Sequence, residues 1–304
     1  MKYQDENKAK ADFKTVYESL TPHNYIKEMD LHNYRIGDET KPFFAAAAEY
    51  MNELNGEAWP VQMLDVGCSY GIGSATVRYG CSFQEMVSFF SSRAPTNYLS
   101  CCETTRMWLN VVQPALNLRC VGFDCSENAI NFALDAGILD AGITANLEKQ
   151  KSDTLSKDDL SWIRTSNLLL SSGAIGYITD KTLSVILEHL GKDHPGENGP
   201  FAVMSILRMF DKKNINEVFN SYGYKFDIIE NIYLPQREFI DQAEKTEIIN
   251  LLNKSGICTE NLEDEGMLIA ELCVASPPAL FKNFYNTIKK SRTISNLKKS
   301  VVMV

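Results

Sequence analysis

From residue 61 to about 221 the chain alternates short apolar runs with amphipathic stretches of helical period. Val61–Val66, Arg119–Asp124, Gly142–Leu147, Ser166–Ser171 and Pro200–Leu207 read as strands. The last is an apolar run of the kind found where a strand is covered on both faces. Strands separated by helical segments pair in parallel through crossovers. The pattern therefore predicts an α/β fold: a doubly wound, mostly parallel seven-stranded sheet. Tyr224–Ile229 and Gly266–Val274 supply the last two strands, expected as a terminal antiparallel pair.

Ahead of the sheet, residues 7–20 have helical composition and Thr21-Pro22 stops them. His23 to Gly37 reads as irregular. Phe44, Ala47, Ala48, Met51 and Leu54 recur at helical spacing, so a helix is expected over Pro42–Leu54 with the proline early, where a missing N–H costs least. Two connections, 81–118 and 231–265, exceed what a simple crossover needs and are expected as inserted cap or binding segments. The division that follows is an N-terminal helical cap or lid (1–55), an α/β ligand-binding domain (56–290) and a basic tail (291–304). A solvated helix with a frayed end suits the lysines and arginines of 282–299.

Composition narrows the class of partner. Of 304 residues, 39 are acidic and 30 basic, a formal net charge of −9. That balance gives no broad basic footprint for nucleic acid or an anionic membrane. No window approaches the roughly 18 consecutive apolar residues of a membrane-spanning helix. The polar start lacks the apolar core of a secretory signal. The eight cysteines show no CxxC pair, and reduced thiols in a cytoplasmic protein are expected, Cys101-Cys102 being the one pair suited to redox chemistry.

Candidate chemistry centres on Asp65–Gly73, which follows the first strand and opens a helix. Small residues at Gly67, Ser69, Gly71 and Gly73 let the backbone turn tightly beside a ligand, and the helix start offers free N–H groups. A dinucleotide site wants a third glycine and an acid about 20 residues on. Here residue 76 is Thr, and the acid at the next strand's end, Asp124, lies 51 residues beyond Gly73. A phosphate loop wants Gly-Lys-Ser/Thr, and no lysine is present.

Leu64–Gly73 resembles the first motif of class I S-adenosylmethionine-dependent methyltransferases, in the version with Ser in place of the middle glycine. Val121–Ala129 resembles the second motif, Ala145–Glu148 the third and Leu170–Tyr177 the fourth-strand motif, each at its expected strand end. The likeness covers about 42–230. More loosely, Leu31–Gly37, Leu207–Phe210 and Leu234–Phe239 look like a bacterial subgroup of such enzymes acting on small molecules. The resemblance implies a Rossmann-like fold with S-adenosyl-L-methionine as cofactor and S-adenosyl-L-homocysteine as product. By it, Gly67, Cys68, Ser69, Gly71 and Gly73 would wrap the methionine part, with Asp65 bracing the loop. Asp124 would take the ribose diol, Cys125, Asn146 and Leu147 would border the adenine, and Ser171, Ser172 and Gly173 would run beneath the sulfonium. Capping and packing roles compete at each of these positions. The long gap from Gly73 to Asp124 departs from the family's usual spacing.

The fourth-strand segment Ser171–Ala174 lacks the Asp/Asn-Pro-Pro-Tyr/Phe of nucleic-acid N-methyltransferases, and His23, His32, His189 and His194 make no metal constellation with neighbouring carboxylates. A small-molecule acceptor methylated on O or N is left, with no nucleic acid, membrane or metal, in a monomer or homodimer. His32, His23 and Tyr177 are the candidate catalytic groups. Tyr25, Tyr34, Arg208 and Arg237 are candidates for substrate binding, an ion pair within the fold competing for Arg237. In the insertion, Arg93, Arg106 and Trp108 are placed to face a substrate. A catalytically silent cofactor-binding scaffold or regulatory subunit is the competing function, using an apolar face from Ile240 to Leu252.

Overall fold

The computed structural model describes residues 16, 18–56, 60–93, 97–150, 152–194 and 199–301, with side chains as far as 291 and none at 152. The expected helix over 7–20 lies almost wholly outside the described residues. In chain order the elements are α1 (His23–Leu31), α2 (Ile36–Asn55), β1 (Val61–Val66), α3 (Ile72–Tyr79), α4 (Phe83–Ser91), α5 (Tyr98–Val112), β2 (Leu118–Asp124), α6 (Glu127–Asp135) and β3 (Ala141–Thr144). Then come α7 (Lys157–Thr165), β4 (Leu168–Ser172), α8 (Asp180–His189), β5 (Phe201–Leu207), α9 (Lys213–Ser221), β6 (Lys225–Glu238), α10 (Gln242–Lys254), β7 (Met267–Ser276) and α11 (Pro278–Val301).

The seven strands form one sheet in the order β3-β2-β1-β4-β5-β7-β6. β1 pairs with β2 and β4, β2 with β3, and β4 with β5, all in parallel. β7 runs antiparallel to β5, and β6 antiparallel to β7. All six residues of β1 and all seven of β5 are buried, which is why these segments read as runs rather than alternations. α2 crosses β1, β4, β5 and β6 and packs on α3 and α11. Tyr50, Phe201 and Phe284 join α2, β5 and α11 at ring separations of 4.8–5.6 Å. The chain leaves β1 toward β2 on one side, and β4 lies on the other. The carboxyl ends of β1 and β4 thus flank the switch point where ligands enter open α/β sheets.

Local departures from the sequence expectations have physical causes. His23–Leu31 is a helix rather than irregular chain. It is short and gains its stability from burying Tyr25, Ile26 and Met29, partly on α4, a contact no local pattern reveals. α2 starts at Ile36, which places Pro42 in the second turn, and the Thr40 hydroxyl donates to the Ile36 and Gly37 carbonyls of the turn the proline disturbs. Residues 231–238 belong to β6 rather than to an insertion. A bulge between Ile228 and Tyr233, with Asn231 at φ +62°, throws the alternation out of phase and hides the second half of the strand. The excursion 81–118 folds as α4 and α5, started by a Ser82–Glu85 capping box and by Asn97. No helix among the described residues is long and apolar enough to cross a membrane.

Candidate functional site

β1 delivers Asp65 to the sheet's carboxyl edge with the residue 3% exposed. Its Oδ2 accepts from the Ser74 hydroxyl at 2.7 Å, and the Ser74 backbone N–H bonds the same carboxylate, so Asp65 ties β1 to the first turn of α3. Gly73 lets that happen, since a Cβ there would stand 3.2 Å from Oδ2. Burial pushes the Asp65 carboxyl up to about 6, against the lowering effect of the Ser74 bonds. A raised carboxylate favours the protonated fold, so its contribution to stability is present below about pH 4 and lost as pH climbs through 6. Relative to an Asp65→Asn variant, the wild type is expected to lose on the order of 3 kcal/mol between pH 4 and 7, read as urea midpoints across that range.

The loop itself alternates handedness: Gly67, Ser69 and Gly71 have φ of +79°, +48° and +74°. Gly67 and Cys68 donate to the Phe123 carbonyl and Gly71 to the Cys68 carbonyl, folding the loop over the end of β2. A Cβ at Gly67 would come within 2.2 Å of the Ala174 Cβ, so the loops after β1 and β4 meet where only glycine fits. Ser69 holds a left-handed conformation that costs a residue with a Cβ on the order of 1 kcal/mol. Its hydroxyl is buried and has no partner among the described residues. A strained residue with an unanswered polar atom points to a ligand rather than to packing.

Asp124 closes the same space from β2. Its Oδ2 accepts from Ser69 N–H at 2.8 Å and its Oδ1 from Ser126 N–H at 2.9 Å, which leaves each oxygen with further acceptor capacity. The carboxyl is raised by burial, with the Ser126, Ser69 and Cys125 bonds opposing. Cys125 beside it is exposed. Asn146 is half-buried with its N–H on Gln150 Oε1, and Leu147 is buried. Ser172 and Gly173 lie across the switch point, the Gly173 N–H donating to Ser205 Oγ at 2.9 Å. Ser171 departs from expectation: it is fully buried, and its hydroxyl donates inward to the Val66 carbonyl at 2.8 Å because alternate strand residues face opposite sides.

The N-terminal segment closes over this edge. Tyr34 hydrogen-bonds through its hydroxyl to the side chains of Tyr25 and Ser172, and burial pushes the phenol above its usual range, with Asp65 and Asp38 adding to the rise. Tyr70, within the loop, donates to the Ser19 carbonyl at 2.6 Å, and Asn128 donates to the Glu18 carbonyl, so residues 18–19 pass beside loop and α6.

The His23 ring stands edge-on to Phe90 of α4 at 5.2 Å, its basicity lowered by burial. His32 pairs with Glu28 at 3.3 Å, and Tyr177 is 49% exposed on the turn after β4. Arg208 and Arg237 are corrected to buried ion pairs. Arg208 meets Glu263 at 2.5 Å and the Cys258 carbonyl, and Arg237 grips both oxygens of Glu244 at 2.9 and 2.6 Å. A guanidinium 2–6% exposed has left water only because its partner left with it. Arg93 stacks on Phe89, which stacks on Trp108. All three line an open cavity of about 410 Å³ between α4 and α5, while Arg106 donates to the Asp135 carbonyl.

The strand order and its switch point decide the architecture. The fold is Rossmann-like. No family model matches the sequence, and no curated protein matches it. Among solved structures, the chain is similar to a plantazolicin methyltransferase, BpumL, in complex with S-adenosylhomocysteine (15% identity, 91% of this chain and 98% of that one, TM-score 0.38). It is also similar to magnesium protoporphyrin IX methyltransferase from Synechocystis with bound S-adenosylmethionine (10%, 90% and 90%, 0.39) and to a TehB-like methyltransferase from Corynebacterium glutamicum (12%, 75% and 86%, 0.36). These TM-scores lie below 0.5, and the chemistry rests on the loop and its carboxylates.

Proposed function

We propose that the chain is a cytoplasmic S-adenosylmethionine-dependent methyltransferase acting on an O or N atom of a small molecule. The observation that supports this best is the pairing of the unanswered Ser69 hydroxyl, in a left-handed loop, with a part-exposed carboxylate on the neighbouring strand. Asp124 carries two oxygens suited to a ribose diol, and the loop backbone with Ser69 would hold the methionine end. When bound, the cofactor supplies an activated methyl group on a sulfonium.

The chain's own part is alignment and the exclusion of water. Asp65 fixes the pitch of α3 relative to β1, and Ser172 and Gly173 floor the cleft. The stretch from α1 to Tyr34 covers it, and Tyr25 and Tyr34 hold that cover to β4 through Ser172. Calorimetric titration with S-adenosylmethionine, S-adenosylhomocysteine and NADH tests the reading. Binding of both sulfur ligands in the micromolar range and not of NADH is expected; NADH alone, or no binding, would refute it. Cofactor binding without turnover on any metabolite of a broad panel would favour a silent scaffold.

A further inference from the structure

One buried polar atom beside the cleft has no hydrogen-bond partner among the described residues. Gln236 lies on the far part of β6, within the second irregularity in its pairing with β7, between Pro235 and Arg237. There its side chain lies beside the loop after β4. A Cβ built on Gly173 would stand 3.1 Å from Gln236 Nε2 and 3.5 Å from a methyl of Ile36. Gly173 has φ +72° and no side chain, and that is what allows the amide to lie against the loop after β4. Gln236 is 7% exposed, and its Oε1 is buried with no hydrogen-bond partner among the described residues.

The backbone of Gln236 has a task of its own. Its carbonyl accepts from Arg35 N–H at 2.8 Å, and two residues on, Glu238 N–H donates to the His32 carbonyl, so β6 holds the crossover between α1 and α2. Those bonds are indifferent to the side chain, and a methionine of similar length would satisfy the packing. A buried amide carbonyl left unanswered costs stability, and natural chains keep such groups where function requires them.

The surroundings indicate what it answers. The arginine beside it, Arg237, and the one following β5, Arg208, are bound in ion pairs to Glu244 and Glu263. The ionisable neighbours acting on Tyr34 across the cleft are the acids Asp65 and Asp38. Two acids at this edge disfavour an anion.

We propose that Gln236 is a specificity-determining residue whose Oε1 accepts a hydrogen bond from an N–H or O–H group of an uncharged methyl acceptor seated above Gly173. This rests on the methyltransferase reading and deepens it. A site built to hydrogen-bond a substrate group discriminates strongly against analogues that lack it, because the buried partner is then left unpaired.

The test compares full-length wild type with Gln236→Met, each saturated with S-adenosylhomocysteine. Calorimetry first gives the S-adenosylhomocysteine affinity; saturation-transfer NMR then measures phenol, anisole and benzoate as a neutral donor, its donor-free analogue and an anion. Three results are expected together. Gln236→Met melts about 2 °C higher than wild type, its S-adenosylhomocysteine affinity is unchanged, and its phenol binding is at least ~10-fold weaker, the increment one lost hydrogen bond supplies. Wild type prefers phenol to anisole and benzoate. A melting temperature at or below wild type, equal phenol binding by both proteins, or no phenol binding by the wild type would each overturn the assignment. Failure of wild type to bind S-adenosylhomocysteine is a separate outcome that removes the underlying function.

Discussion

Replacing Asp124 with alanine is expected to weaken S-adenosylmethionine binding by about 100-fold or more. Two hydrogen bonds from a diol to an ionised carboxylate are each worth about 1.5–3 kcal/mol, and 1.4 kcal/mol is a factor of ten. Asp124 also holds Ser69 and Ser126 N–H groups, so the variant loses some stability as well as a ligand contact. Asp124→Asn separates the two effects. Its single carbonyl oxygen still accepts one of these N–H groups, and it is expected to keep most of the stability while losing much of the affinity. Calorimetry alongside thermal melts reads both quantities. Unchanged affinity in a folded Asp124→Ala protein would remove this residue from the cofactor site.

The largest expected effect on stability comes from Arg237→Met. Arg237 and Glu244 are each 3% exposed at the side chain, and both carboxylate oxygens are gripped by the guanidinium. Removing one partner leaves Glu244 charged and buried, with the Ile240 N–H bond to Oε2 too little to compensate, and costs about 3–5 kcal/mol. Pairing it with Glu244→Leu is expected to restore most of the loss, because two apolar side chains of similar volume replace a desolvated pair. Denaturant midpoints of the single and double variants check this. A single variant as stable as wild type would mean that Arg237 is available to a substrate after all.

Arg237 also shows where sequence reading stops. Its neighbourhood offered both a substrate role and an ion pair, and the choice depended on α10 bringing Glu244 seven residues away back against β6. Arg208 is harder still, since its partner Glu263 is 55 residues further along the chain. Ser171 and Ser172 are adjacent in sequence and look alike, yet one is bonded into the sheet and the other faces Tyr34. The missed half of β6 is a loss of phase: one bulge moved the buried positions, and a periodicity argument cannot see past it.

The parallel strands, the Gly67–Gly73 turn and the carboxylates at the ends of β1 and β2 were determined by the sequence alone, because each is encoded in neighbouring residues: apolar runs, small residues at a turn, an acid at a strand end. Which arginines are spent, which of Ser171 and Ser172 faces the cleft, and that Gln236 reaches Gly173 were decided only by the tertiary structure. Those outcomes depend on contacts between residues as far apart as 173 and 236, whose energies come from burial and pairing across elements and leave no mark on the local pattern.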